Sequence, residues 1–185
     1  MPFRTLRLPP HEDEPTPLRS RAAVALVIGA DDHLLFIKRA ERDGDVWSGH
    51  MAFPGGRAHP EDPSMRATAI RETREEVGLD LTGAEYLGAL RVQLNPVREP
   101  SPDFGIFPFV FRVAHWGDLV AQASEVAGIH RIDGKRLLAG EGRGEFRYIG
   151  YGYDQMLPCV RIDGTFIWGL TLRMLDELVE RLPTR

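Results

Sequence analysis

The chain has 185 residues, 43% of them hydrophobic and 27% charged, enough for one domain with a sizeable core and too few for two large ones. Lys and Arg total 23 against 27 Asp and Glu, a formal net charge of −4, which excludes a protein that coats nucleic acid or adheres broadly to anionic membranes. No apolar run reaches the roughly 20 residues of a membrane span, and the N-terminus lacks the apolar stretch of a secretory signal. The single cysteine, Cys159, allows neither an intrachain disulfide nor a cysteine-cluster zinc site and reads as a small buried hydrophobe. A soluble, cytoplasmic, single-domain protein is expected.

Residues 1–20 carry Pro2, Pro9, Pro10, Pro15 and Pro17 around Glu12-Asp13-Glu14. Proline at that density blocks helix and sheet ladders, so the segment reads as an extended arm, either a disordered tail or a strap around a partner in a homodimer. The domain proper is expected over 21–185. Residues 22–28 form an apolar run suited to a strand buried on both faces; Asp31-Asp32 supplies a turn and residues 34–39 a second strand. A polar loop with Gly44, Ser48 and Gly49 leads into Phe53-Pro54-Gly55-Gly56. From Ser64 to Val77 the chain lacks Gly and Pro and has helical spacing, with Gly78 as its stop.

Further strands are expected at 86–94, 106–113 and 126–132, with a short helical piece near 135–138. Asp163-Gly164 between residues 159–162 and 165–168 is a two-residue hairpin signal. Leu172, Leu175, Leu178, Val179 and Leu182 give the last segment helical spacing before Pro183. The class is α+β with a mixed sheet.

The informative region is Gly55 to Leu79. At about 100° per residue, with Ile70 at zero, Val77 and Thr73 fall on the same side and define a core face. Glu72, Glu75 and Glu76 then gather on the opposite side, with Glu72 and Glu76 spaced i,i+4. Arg71 sits one turn before Glu75, placed to bridge to it. Three neighbouring carboxylates repel unless a cation relieves them, and hard oxygen ligands suit Mg²⁺ or Mn²⁺. An acidic helix alone is more often a solvated face. Here Pro54-Gly55-Gly56 changes the balance, because glycine lets backbone approach a ligand and offer a carbonyl from Gly55 or Gly56.

These residues resemble the Nudix hydrolase family, whose pattern is G-x5-E-x7-R-E-U-x-E-E-x-G-U with U aliphatic. Arg71-Glu72-Thr73-Arg74-Glu75-Glu76-Val77-Gly78-Leu79 matches its second half, with Thr73 at an aliphatic position. The first half departs. Gly56 to Arg71 is one residue longer than the pattern, the family's glutamate would fall near Pro63, and Glu61 or Asp62 is the available substitute. Upstream, residues 34–40 and Gly49-His50-Met51-Ala52-Phe53-Pro54-Gly55-Gly56 are similar to the coenzyme A pyrophosphatase branch, with Gly44 near the place of that branch's second arginine and Arg42 close by. Downstream, Ile167-Trp168-Gly169-Leu170-Thr171 entering a helix adds to the likeness.

The resemblance implies an α/β/α sandwich around a mixed β-sheet and a Mg²⁺- or Mn²⁺-dependent hydrolase of a phosphoanhydride in a small-molecule nucleotide. Glu72, Glu76 and Glu75 would hold the metal with Gly55 or Gly56. Arg71 would orient the glutamates. A carboxylate of the cluster, or Glu125 from a later loop, would accept the proton; Glu99 and Asp103 are further acids of that kind. Arg39, Arg42 and Arg57 are expected to meet an additional phosphate, and Trp47, Met51 and Phe53 to wall a channel. Trp47, Phe104 and Phe107 are candidates for stacking on a base, with core or rim packing the better reading of any one of them. His50 and His59 flank the glycine pair and read as surface residues. The implied substrate is coenzyme A or a thioester of it. ADP-ribose, a dinucleotide or a nucleoside triphosphate is the enzymatic alternative, and a nucleotide-sensing module the non-enzymatic one.

Overall fold

The structure, a computed structural model, describes residues 3–10, 18, 20–45, 47–94, 104–150 and 152–182. Glu99 and Asp103 lie outside the described residues, as does the acidic stretch of the arm. Two strands head the fold, β1 (Ser20–Gly29) and β2 (His33–Arg39), joined by a turn in which Asp32 takes φ 63°. Short strands β3 (Met51–Ala52) and β4 (Gly55–Arg57) follow, then helix α1 (Met65–Val77). Next come β5 (Glu85–Ala89), β6 (Gln93–Leu94), β7 (Phe104–Val113), β8 (Val126–Asp133) and α2 (Gly134–Leu138). The chain ends in β9 (Arg143–Gly150), β10 (Tyr153–Ile162), β11 (Thr165–Trp168) and α3 (Gly169–Glu180).

β1 is the spine of the main sheet, whose central order is β3-β2-β1-β7-β5. It pairs in parallel with β7 along its whole length and antiparallel with β2 and β4. Its run from Ala22 to Ile28 is buried on both faces because each face meets a helix layer. Val24, Leu26 and Ile28 pack with Leu172, Met174, Leu175 and Leu178 of α3, while Ala23, Ala25 and Val27 face Ala69 and Val77 of α1. The alanines let α1 approach closely, and this alternation is the period of two expected of a strand between two layers. The fold is thus a helix–sheet–helix sandwich around a mixed sheet.

Four features differ from the sequence reading. The strand expected over 86–94 is broken between β5 and β6, where Arg91 leaves the ladder and its amide donates to Glu177 of α3. The alternating, mostly polar run 143–150 gives no buried pattern, yet it forms β9, because β10 supplies a continuous antiparallel partner from Tyr153↔Gly150 to Val160↔Arg143. Residues 3–10 are not a free tail or a strap on another chain. Phe3 and Leu6 are buried in this chain's own core, and Leu8 and Ala89 exchange backbone bonds with Leu87 and Pro9.

The fourth difference concerns α1. Its inward face is not centred on Ile70, which is only half-buried. Thr68, Ala69, Glu72, Thr73, Glu76 and Val77 are the buried residues, so the face is turned by roughly a quarter turn and carries two of the three glutamates inward. Thr73 is accommodated at an aliphatic, buried position because its hydroxyl donates to the Ala69 carbonyl at 2.7 Å, satisfying itself within the helix.

Candidate active site

Helix α1 is fixed at both ends by its own sequence. The Ser64 hydroxyl accepts from the Ala67 amide at 3.1 Å, and Gly78 closes the helix at φ 74° while its amide donates to the Arg74 carbonyl. The strand β4 brings Gly55 and Gly56 against this helix. The Gly55 amide donates to Glu76 Oε2 at 2.8 Å. A Cβ on Gly56 would lie 2.5 Å from the Glu72 carboxyl carbon, and one on Gly55 would lie 2.2 Å from the Ala23 carbonyl oxygen. The glycine pair is required by close approach on both sides: the β1 backbone on one, a glutamate carboxylate on the other.

Arg71 organises the opposite side of the cluster. It donates from Nε and Nη2 to the two oxygens of Asp62, both at 2.9 Å, and from Nη2 to the Arg57 carbonyl at 3.1 Å. Its Nη1 reaches Glu72 Oε1 and Glu75 Oε2, each at 2.9 Å. Asp62 also accepts from Thr68 Oγ1 and from the His59 amide, both at 2.9 Å. Of the two acids in the lengthened loop, Asp62 therefore makes the structural contact, and Glu61 stays exposed. The Arg71 guanidinium holds the Asp62 carboxyl well below the usual carboxylate range.

The glutamates divide by burial. Glu76 is 2% and Glu72 8% exposed, whereas the Glu75 side chain is 56% exposed. Burial pushes Glu76 up to about 8; the charges of Glu72 and Glu125 add to the rise, and the Gly55 amide and Arg39 oppose it. Glu72 is raised as well, mainly by burial, with Arg71 acting against it. Two buried carboxyls that resist ionisation side by side are suited to a hard divalent cation, which removes the penalty for charging both. Among the described residues no three or more His, Cys, Asp or Glu side chains converge so as to hold a metal ion by themselves. An ion here would share these carboxylates with a glycine-loop carbonyl, water and substrate phosphate oxygens, the mode usual for Mg²⁺.

Glu125 lies within electrostatic range of both buried glutamates. Arg42 Nη2 faces it at 3.4 Å and donates to the Ser124 carbonyl at 2.5 Å, so Arg42 braces the loop that carries Glu125. Arg39 is bonded through Nη2 to Asp45 Oδ2 at 2.6 Å, a partner that no sequence signal marked. Its Nε is buried with no acceptor among the described residues. Arg57 is exposed at the rim.

Phe53 is corrected. It is 1% exposed and stacked on Phe36 at 4.8 Å, a core residue that offers a ligand no surface. Met51 is likewise buried at 6% exposure. Trp47 and Phe104 are half-buried and pair at 5.8 Å. His50 is not a free surface residue: its ring packs edge-on against Trp168 at 4.9 Å, and burial holds its pKa below the ordinary imidazole value. His59 stays exposed.

A NUDIX domain model matches residues 18–142. The chain belongs to the NUDIX family. Its enzymatic class is that of a Nudix hydrolase, a pyrophosphohydrolase. It is similar to an uncharacterized Nudix hydrolase, NudL, of Yersinia pestis, 27% identical over 172 residues, 93% of this chain and 83% of that protein. An uncharacterized protein of Schizosaccharomyces pombe is 43% identical over 102 residues, 51% of this chain, which spans only 30% of that relative's length. Among solved structures, a MutT/nudix family protein from Enterococcus faecalis superposes with TM-score 0.54 at 15% identity, covering 97% of this chain and 64% of that one. A MutT NUDIX hydrolase from Burkholderia pseudomallei gives 0.51 at 16% identity, covering 85% and 96%. These likenesses establish the fold. Among the described residues no helix is long and apolar enough to cross a membrane.

Proposed function

We propose that this Nudix hydrolase cleaves the phosphoanhydride of coenzyme A or its thioesters with the help of Mg²⁺ or Mn²⁺. The observation that carries the reaction is the buried Glu72–Glu76 pair set against Gly55 and Gly56. A divalent ion bound there would neutralise the diphosphate and make water a better nucleophile. Glu72 and Glu76 would hold it, and Glu75, one turn along the exposed side of the same helix, would supply a further oxygen. Arg71, locked by Asp62, keeps Glu72 and Glu75 in position without touching substrate. Glu125 faces the pair from the loop before β8 and is the acceptor for the proton lost by water; Arg42 sets its place.

The substrate half of the proposal rests on other residues. The run from Gly49 to Gly56 resembles the coenzyme A branch, and the half-buried Arg39, whose Nε has no acceptor among the described residues, offers a donor for an anionic group. Arg57 at the rim is suited to the adenosine 3′-phosphate. Water adds to one phosphorus of the anhydride, giving adenosine 3′,5′-bisphosphate and a 4′-phosphopantetheine product. A cytoplasmic location belongs to the same proposal and agrees with the buried free thiol of Cys159.

ADP-ribose and dinucleotides present the same anhydride and are the alternative substrates; the retained glutamate set speaks against a pure sensor. Equal amounts of coenzyme A, ADP-ribose, diadenosine polyphosphates and nucleoside triphosphates, each with Mg²⁺ or Mn²⁺, decide among them. The highest kcat/KM is expected for coenzyme A or a thioester, and a clear preference for any other compound removes the coenzyme A assignment.

A further inference from the structure

Strand β9 is the outer edge of the small sheet, and its ladder with β10 runs from Arg143 to Gly150 without a register shift. The amide of Arg161 donates to the carbonyl of Gly142 at 2.8 Å, which fixes the phase of that ladder. Backbone groups alternate in direction along an antiparallel strand. Gly144, Phe146 and Tyr148 therefore turn theirs to β10, and Glu145, Arg147 and Ile149 turn theirs outward. Among the described residues no second strand takes up those outward groups. Gly144, Glu145 and Arg147 are exposed, and Ile149 is 71% exposed.

Sheet edges are ordinarily closed by a proline, a bulge, a covering element or a very short strand. β9 is eight residues long, about 27 Å at 3.4 Å per residue, and has no proline. What it carries instead is charge of alternating sign, Arg143, Glu145 and Arg147. Such an edge repels a partner in some registers and attracts one in another.

A second copy of β9, laid antiparallel, must pair outward residue with outward residue, so the two-fold axis passes through a residue and not between two. Only axes through Phe146 or Arg147 engage the strand nearly end to end. The axis through Arg147 sets that side chain against its own copy. The axis through Phe146 sets Glu145 opposite Arg147 of the second copy, twice over by symmetry, with Arg143 opposite Ile149. Both charges suit this register. Asp154 holds Arg147 through Nε at 2.7 Å and Nη2 at 2.6 Å, leaving Nη1 without an acceptor among the described residues. Glu145 faces Pro158 in its own chain and has no counter-ion among the described residues.

We infer that β9 is a homodimer interface: two copies of this chain join edge to edge, antiparallel about Phe146, with Glu145 of each on Arg147 of the other. The pairing uses the same edge on both copies, so it closes at two and joins the small sheets into one.

Sedimentation velocity on the full chain at low salt, over about 1–200 μM, tests this. The unmodified protein should pass from one chain mass, 20.8 kDa, to twice that mass, with Kd on the order of 10 μM, the weak end for a small interface. Glu145→Arg sets Arg against Arg, and Arg147→Glu sets Glu against Glu; each alone should weaken association about tenfold. An equimolar mixture of these two variants regains both attractive pairs in the mixed dimer and should associate about as tightly as the unmodified protein. Ile149→Pro removes an outward N–H and spares the bonds to β10, so it too should weaken association. Thermal melts confirm that each variant folds. Should Arg147→Glu fail to fold for loss of its bond to Asp154, Glu145→Arg and Ile149→Pro carry the test. A protein that stays at one chain mass throughout overturns the inference. So does association that Glu145→Arg and Ile149→Pro leave unchanged, or a mixture no tighter than either folded variant alone.

Discussion

Asp62 grips Arg71 at two points, Oδ1 to Nε and Oδ2 to Nη2, each at 2.9 Å. This pair joins the loop after β4 to the middle of α1, and through Arg71 it fixes Glu72 and Glu75. Asp62→Asn is expected to lower stability by about 1.5–3 kcal/mol in denaturant unfolding, the range for hydrogen bonds to charged groups, and to reduce kcat with it. Glu61→Gln, on an exposed neighbour, should stay within about 0.5 kcal/mol. Equal costs for the two changes would remove Asp62 from this role.

Gly56→Ala tests the approach of the glycine loop to α1. Its methyl would meet the Glu72 carboxyl carbon at 2.5 Å, and a side chain can swing away more cheaply than backbone can. The protein should therefore fold, with kcat down about 10²-fold because misplacement by about 1 Å carries that cost. Circular dichroism and steady-state kinetics read the two effects separately. A correctly folded variant with full turnover would show that Glu72 need not stay where the glycine holds it. Gly55→Ala, which meets the β1 backbone at 2.2 Å, should instead fail to fold stably.

The pH dependence of stability follows from Glu76. Its folded pKa lies at about 8, above its ordinary 4.5. Its contribution is therefore fully present below about pH 4.5 and is lost as pH rises towards 8. Thermal melts of the metal-free protein should show Tm falling over that interval, and Glu76→Gln should flatten the fall. Saturating Mg²⁺ should raise Tm most at the alkaline end, because the ion takes up the charge that burial penalises. Asp62 acts in the opposite sense: its folded pKa is depressed, so its contribution is present above the ordinary carboxylate range and disappears only in strong acid. A Tm unchanged between pH 5 and 8, in the presence of chelator, would contradict the assignment of Glu76.

Arg42 supplies a test of the loop that carries Glu125. Arg42→Ala removes the bonds to Ser124 and Glu125. If Glu125 accepts the proton, kcat should fall roughly tenfold while KM for coenzyme A changes little, and Glu125→Gln should fall further, by about 10²–10⁴-fold. A larger change in KM than in kcat would make Arg42 a substrate contact instead.

Much of this architecture was legible from local signals. Ser64 and Gly78 mark the ends of α1, and Asp163-Gly164 forms the hairpin turn with φ 49° and 73°. The run at 22–28 reads as a strand between two layers, and the structure supplies both layers. What was not legible depended on partners distant in sequence. Assigning the inward face of α1 by its apolar residues points to Ile70, but Glu72 and Glu76 are inward because β4 gives them backbone and glycine to pack against. β9 has no hydrophobic pattern of its own and is specified by β10. Phe3 and Leu6 are isolated apolar residues in a proline-rich segment, and only the finished core shows where they go. The choice between Glu61 and Asp62 likewise depended on which carboxylate reaches Arg71.

The measurement closest to the central claim is turnover of coenzyme A against Mg²⁺ concentration, with product identification, for the unmodified protein, Glu72→Gln and Glu76→Gln. Each variant keeps the shape of the buried pair and removes one charge. The unmodified protein should release adenosine 3′,5′-bisphosphate only when Mg²⁺ or Mn²⁺ is added. Both variants should lose about 10²–10⁴-fold in turnover and require more metal for half-maximal rate. Turnover in chelator equal to that in Mg²⁺, or a Glu76→Gln protein as fast as the unmodified one at limiting metal, would contradict the account.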